Sequence, residues 1–194
     1  SDLGKYEEAL GKLERCYEIR KQVLKENHPD TLTSLNNLAN CLRNLGRYEE
    51  ALGKHERCYE LMKQVLTENH PDTLQSLNSI ALCLSDLGKY EEALEKHERC
   101  YEIRKQGLPE NHPDTLSSLN NIAKCLEEAG QYEKAFDCYW EYYSKGKSVF
   151  KKNNSRLRSA LIHCKDILIK IGKPEEVEKI ENEMASLALG EATV

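Results

Sequence analysis

Two short motifs in this chain of 194 residues have the ingredients of a metal site. His55-x-x-Cys58 and His97-x-x-Cys100 each set an imidazole and a thiol one helical turn apart, and Zn²⁺ accepts both ligand types. Both motifs recur together with the text around them, so copying of a longer segment accounts for them, and no metal is expected. His28, His70 and His112 each stand directly before a proline that suits a helix start, which points to a cap or loop role rather than to catalysis. No nucleophile, base and orienting acid stand together and there is no glycine-rich phosphate loop, so neither an enzyme nor a cofactor is expected. Most of the eight cysteines recur at one helical address, as small core residues do, and are expected to be reduced thiols.

The composition, 39% hydrophobic and 31% charged, is that of a soluble, helix-rich protein. A net charge of −5 gives no general attraction to phosphate backbones or anionic membranes, which requires clustered Lys and Arg. One local exception runs from Lys145 to Lys170, where eight basic residues meet a single acid, Asp166. Such a run is usually a solvated face; an acidic partner or nucleic acid on it would show salt-dependent binding. No apolar run is long enough for a bilayer, and residues 1–30 lack the succession of a secretory signal. The expectation is a cytoplasmic protein with no membrane partner and no nucleic acid.

The elements that position these residues follow from a period. His28, His70 and His112, and likewise Tyr48, Tyr90 and Tyr132, are spaced 42 residues apart, and segments 28–69 and 70–111 share 30 of 42 residues. Such self-similarity must be read per repeat. Leu32, Leu35, Leu38, Ala39, Leu42 and Leu45 fall at helical spacing and predict a helix A. Pro29 suits its first position, Asp30 complements its dipole, and Gly46 closes it. Tyr48, Ala51, Leu52, Cys58, Leu61 and Val65 then predict a helix B. The turn between them is too short for anything but antiparallel packing, and each pair leaves apolar surface for a neighbouring pair to cover. The alanines at 39, 51, 81, 93, 123 and 135 mark close helix approach.

The text Leu35-x-x-Leu38-Ala39-x-x-Leu42 followed by Gly46-x-Tyr48-x-x-Ala51 resembles the tetratricopeptide signature, with Leu where the usual Trp and Tyr of helix A stand. His-Pro-Asp, Leu-Asn-Asn-Leu-Ala and Gly-Arg-Tyr-Glu-Glu-Ala resemble the longer repeats of kinesin light chains and nephrocystin-like proteins. His55 and His97 depart from the pattern by replacing an aromatic residue of helix B. No heptad coiled coil for a motor heavy chain is present, so motor association is not expected. The resemblance implies an all-α fold, a right-handed superhelical solenoid of antiparallel helix pairs. It divides the chain into an array over 1–172, made of a helix B of a truncated repeat (1–27), full repeats at 28–69, 70–111 and 112–153, and a divergent helix A (155–172). A capping helix over 173–189 and a tail at 190–194 follow.

In proteins of this kind the inward residues of helix A hold an extended peptide in a concave groove. The matching positions are Asn36, Asn37, Asn40 and Arg43 in one repeat, Asn78 and Ser79 in the next, and Asn120, Asn121 and Lys124 in the third. Asparagine amides donate to and accept from a peptide backbone at once, and Arg43 and Lys124 would select acidic residues. The expected partner is therefore a protein or peptide segment. Residues 1–6 repeat Ser85–Tyr90 letter for letter, so the chain is expected to be a fragment of a longer array whose uncapped first helix supports self-association. The rival reading is a repeat arm of a larger signalling or sensor protein, packing on itself or on its own upstream domains. Tyr139, Trp140, Tyr142 and Tyr143 form either an aromatic contact surface or, at helical spacing, part of the core.

Overall fold

A computed structural model describes the backbone of residues 2–151 and 154–188, and the side chains of 7–151 and 154–187. Among the described residues every regular element is helical: α1 (Asp2–Leu24), α2 (Pro29–Asn44), α3 (Tyr48–Val65), α4 (Pro71–Asp86), α5 (Tyr90–Gly107), α6 (Pro113–Glu128), α7 (Tyr132–Gly146), α8 (Ser155–Lys170) and α9 (Val177–Ala188). A short 3-10 turn, Pro174–Glu176, leads into α9. Helices A are α2, α4, α6 and α8, and helices B are α1, α3, α5 and α7. The expected tail 190–194 lies outside the described residues. No described helix is long and apolar enough to cross a membrane.

The chain forms two compact units, Ser1–Lys96 and His97–Val194, the division falling within α5. In the first unit consecutive helices pack on one another from α1 to α4, and α2 also meets α4. Its core joins Leu10 and Tyr17 of α1, Leu32, Leu35, Leu38 and Leu42 of α2, and Ala51, Cys58, Leu61 and Met62 of α3. In the second unit α6, α7, α8 and α9 pack in sequence. Leu116, Leu119, Leu126, Tyr139, Tyr143, Leu157, Leu161, Ile167 and Ile180 fill its interior.

The starts and ends of helices A repeat. His28, His70 and His112 are extended N-caps whose Nδ1 accepts from the backbone N–H of Asp30, Asp72 and Asp114, each at 3.2 Å. The prolines that follow occupy the first turn, where a missing N–H costs nothing. Asn154 takes the same role for α8, its side chain accepting from Arg156 N–H at 2.9 Å. Gly46, Gly88, Gly130 and Gly172 all have φ between +73° and +76°, the left-handed conformation that closes a helix and that a Cβ disfavours.

Packing distinguishes the two kinds of small residue in helix B. Ala51 and Ala93 have no exposed surface, as their expected role at close helix contacts requires. Val65 is a correction: expected in the apolar stripe, it is 40% exposed in the last turn of α3. The buried positions end at Met62, and Val65 sits beside the first turn of α2 at the open end of the hairpin. Gly53, by contrast, is an exposed helix-interior glycine with open space where a Cβ would go. Ala51→Leu should therefore destabilise the chain by about 1–3 kcal/mol through overpacking, and Gly53→Ala should stabilise it by roughly 0.5–1 kcal/mol. Denaturant midpoints for the two variants check both signs.

Candidate functional site

Each helix A offers the positions singled out from the sequence, but the structure treats them unequally. On α2, Asn37 and Asn40 are exposed and Asn36 is half-buried, with its Oδ1 buried and unpartnered. Arg43 is already engaged: its Nε donates to Asp86 Oδ2 of α4 at 2.5 Å, so it ties two helices A together instead of reaching for an acidic ligand. On α4, Asn78 and Ser79 are buried, and the Ser79 hydroxyl donates to the Gln75 carbonyl at 3.1 Å. Here α4 buries ten of its 16 residues, against eight of 16 for α2, and the turn that carries Asn78 and Ser79 faces the interior.

In the second unit the expected residues come together. Asn120, Asn121 and Lys124 of α6 line a cavity of about 280 Å³. Ser117 of α6, Tyr142 of α7, and Arg156 and Ser159 of α8 complete its wall. Every one of these side chains carries a hydrogen-bond donor and none is acidic. Tyr142 is 3% exposed, and burial raises the pKa of its phenol, with the charge of Arg156 acting the other way. The close approach of α7 and α8 depends on Gly146, where an added Cβ would lie 2.6 Å from Leu157 Cδ2, one residue from Arg156.

A smaller cavity of about 170 Å³ occupies the matching place in the first unit. Two repeat periods relate Thr33 to Ser117, Asn36 to Asn120, Asp72 to Arg156 and Gln75 to Ser159. The first-unit cavity has an apolar base of Leu32, Met62 and Val65 and carries the Asp72 carboxylate. The second-unit cavity exchanges that acid for a guanidinium. Sequence reasoning singled out Asn120, Asn121 and Lys124 but passed over Arg156. The available signal was register: Asp30, Asp72 and Asp114 begin three helices A, and the equivalent position of the fourth is Arg156.

The basic run at 145–170 is compensated in part. Lys145 pairs with Glu110 at 2.7 Å and with Glu141 at 2.6 Å, Lys147 with Glu183 at 3.4 Å, and Lys165 with Glu181 at 2.5 Å. Lys170 lies over the Tyr132 ring. Among the described residues Lys124 and Arg156 make no ion pair. Of the aromatic cluster, Tyr139, Tyr142 and Tyr143 are core and Trp140 is half-buried. Tyr139 donates to Glu127 Oε2 at 3.0 Å and stacks on His163.

The His/Cys pairs are interior packing. His55, Cys58, His97 and Cys100 are all buried, and among the described residues no three His, Cys, Asp or Glu side chains are grouped to hold a metal. Both nitrogens of His55 and Nδ1 of His97 are buried without partners. Burial pushes each imidazole down to about 4, with Arg43 adding to the effect at His55. All eight cysteines are thiols, and burial raises Cys58, Cys83, Cys100 and Cys164.

Consecutive helices packed as antiparallel pairs within each unit define a helical-repeat protein. The chain belongs to the tetratricopeptide repeat family, whose sequence model matches residues 1–64 and 33–106. Compared with curated proteins, the chain matches none. Among solved structures it is similar to nearly identical TPR-like repeats described as a kinesin light chain from Podosopora anserina, at 22% identity and a TM-score of 0.81 over 95% of this chain and 88% of that one. BtubC from P. vanneervenii gives 17% identity and a TM-score of 0.78, covering 100% and 76%. A Rap protein complexed with competence and sporulation factor gives 16% and 0.73, covering 97% of this chain and 50% of that one. These likenesses establish a tetratricopeptide-like solenoid fold of the kinesin light chain type.

The buried histidines generate a pH dependence whose sign is fixed. Their folded pKa values of about 4 lie below the ordinary 6.5, so between those values the unfolded chain binds more protons. Stability should be full above pH 6.5 and fall as pH drops toward 4, by about 3 kcal/mol per histidine. Denaturation midpoints from pH 7 to pH 4 measure the loss, and the double variant His55→Phe/His97→Phe should flatten the curve across that window.

Proposed function

We propose that this chain is a cytoplasmic protein-binding scaffold that holds a linear segment of a partner against its helices A, anchored at the second-unit cavity. The observation that carries the reading is the set of donors there: Asn120, Asn121, Lys124 and Arg156 face one opening, and the two cations have no internal partner among the described residues. Uncompensated cations beside amides suit an extended backbone flanked by acidic side chains. The family supports an interaction scaffold, and one chain of the same fold is solved with a bound factor. Repeats of this kind sum small contacts along an extended site.

Panning random linear peptides on the immobilised chain tests the proposal. Enrichment of acid-containing sequences is expected, with affinity at least tenfold weaker for Asn120→Ala/Lys124→Ala at unchanged helical content. Enrichment that survives both substitutions, or no enrichment, contradicts it.

A second reading, self-association through α1, is favoured by one observation. Ile19 is 50% exposed, whereas its equivalents Leu61 and Ile103 are 5% and 8% exposed, and Ala9, Leu13 and Cys16 are likewise less covered than their copies in α3. Sedimentation of the chain should then show a dimer that Ile19→Lys dissociates; a single monomeric species at high concentration rules this out.

A further inference from the structure

We infer that the second-unit cavity is a phosphate subsite, built to take a phosphorylated side chain of the bound segment. This rests on the reading of helices A as a peptide-binding surface and assigns that surface a ligand chemistry. Two positive charges, Lys124 and Arg156, line a single opening with no carboxylate in its wall and no ion pair to either among the described residues. Ser117, Ser159 and Tyr142 add three hydroxyls. A carboxylate has only two oxygens and one charge, which would leave much of this donor set unused. A phosphoryl group brings three strong acceptor oxygens and close to two negative charges at neutral pH, matching the cavity in both respects.

Tyr142 is buried and lines the cavity. One further observation points to an anionic ligand. Arg156 occupies the second position of α8, where the positive end of the helix dipole disfavours a cation and the other helices A place Asp30, Asp72 and Asp114. The equivalent cavity of the first unit keeps the acid, Asp72, over an apolar base. The charge reversal therefore acts against the helix it sits in and favours only an anion in the opening. The helix end itself adds to that preference.

NMR titration of the full chain compares acetylated, amidated Gly-Gly-X-Gly-Gly peptides with X as phosphoserine, glutamate or serine, alongside inorganic phosphate. The phosphoserine peptide should shift the amides of Asn120–Lys124 and Arg156–Ser159, with the glutamate peptide at least tenfold weaker and the serine peptide without effect. Arg156→Asp should abolish the shifts while raising the denaturation midpoint, because it restores the acid that suits the helix start; loss of binding then cannot be loss of fold. Equal binding of the serine or glutamate peptide overturns the inference, as do phosphoserine shifts that persist in Arg156→Asp, or binding of inorganic phosphate without the phosphopeptide. The scaffold reading is judged separately: unphosphorylated segments that still bind and depend on Asn120 and Lys124 leave it standing while the phosphate subsite falls.

Discussion

A helix hairpin of this type can bury only one side of each of its helices, and the need to cover the remaining side fixes everything else in the chain. Within the first unit α3 is covered by α2 and α4, and Ala51, Cys58 and Leu61 are buried as a result. The same positions of α1 have α2 beside them and remain more exposed. Within each unit a helix A is held against its neighbouring helices B, and Arg20 and Arg104 each reach to the start of the following helix A. Both donate to a serine hydroxyl there at 2.7 Å and to the carbonyl of the helix-starting aspartate at 3.0 Å. The polar residues of helices A inherit their spacing from this packing.

Repetition then makes deviation meaningful. Because the helix starts are built alike, by His or Asn caps and a short first turn, exchanging Asp for Arg at position 156 changes the charge of a cavity without changing its frame. The two cavities are therefore two chemistries on one scaffold, one carrying a carboxylate over Leu32 and Met62, the other made of donors. Gly146 has a part in this, since its missing side chain admits Leu157 and seats the first turn of α8. Buried His55 and His97 show the opposite case, where deviation from an aromatic residue introduces unpartnered nitrogens into the interior and costs stability as pH falls.

The helices were legible because their signals are local: Pro29 and His28 at the start of α2, Gly46 at its end, and leucines at helical spacing between them. The placing of Asn36, Asn37 and Asn40 on one side of α2 was legible for the same reason. What was not legible depended on neighbours. Asn78 and Asn36 hold the same position in the repeat, yet Asn78 is buried and Asn36 half-buried. Arg43 had the right charge for an acidic ligand, but its partner, Asp86, stands one repeat away in sequence. Arg156 was hidden in a basic run of which three members, Lys145, Lys147 and Lys165, are paired within the chain. What separates it from them is its place in the cavity wall beside Lys124.

The central claim, that helices A of the second unit are the binding face, is tested most directly by hydrogen–deuterium exchange of the chain with and without a selected acidic segment. The account predicts slowed exchange confined to α6 and the first turn of α8, around Asn120, Lys124 and Arg156. Protection on α1 or α9, with α6 and α8 unchanged, would contradict it.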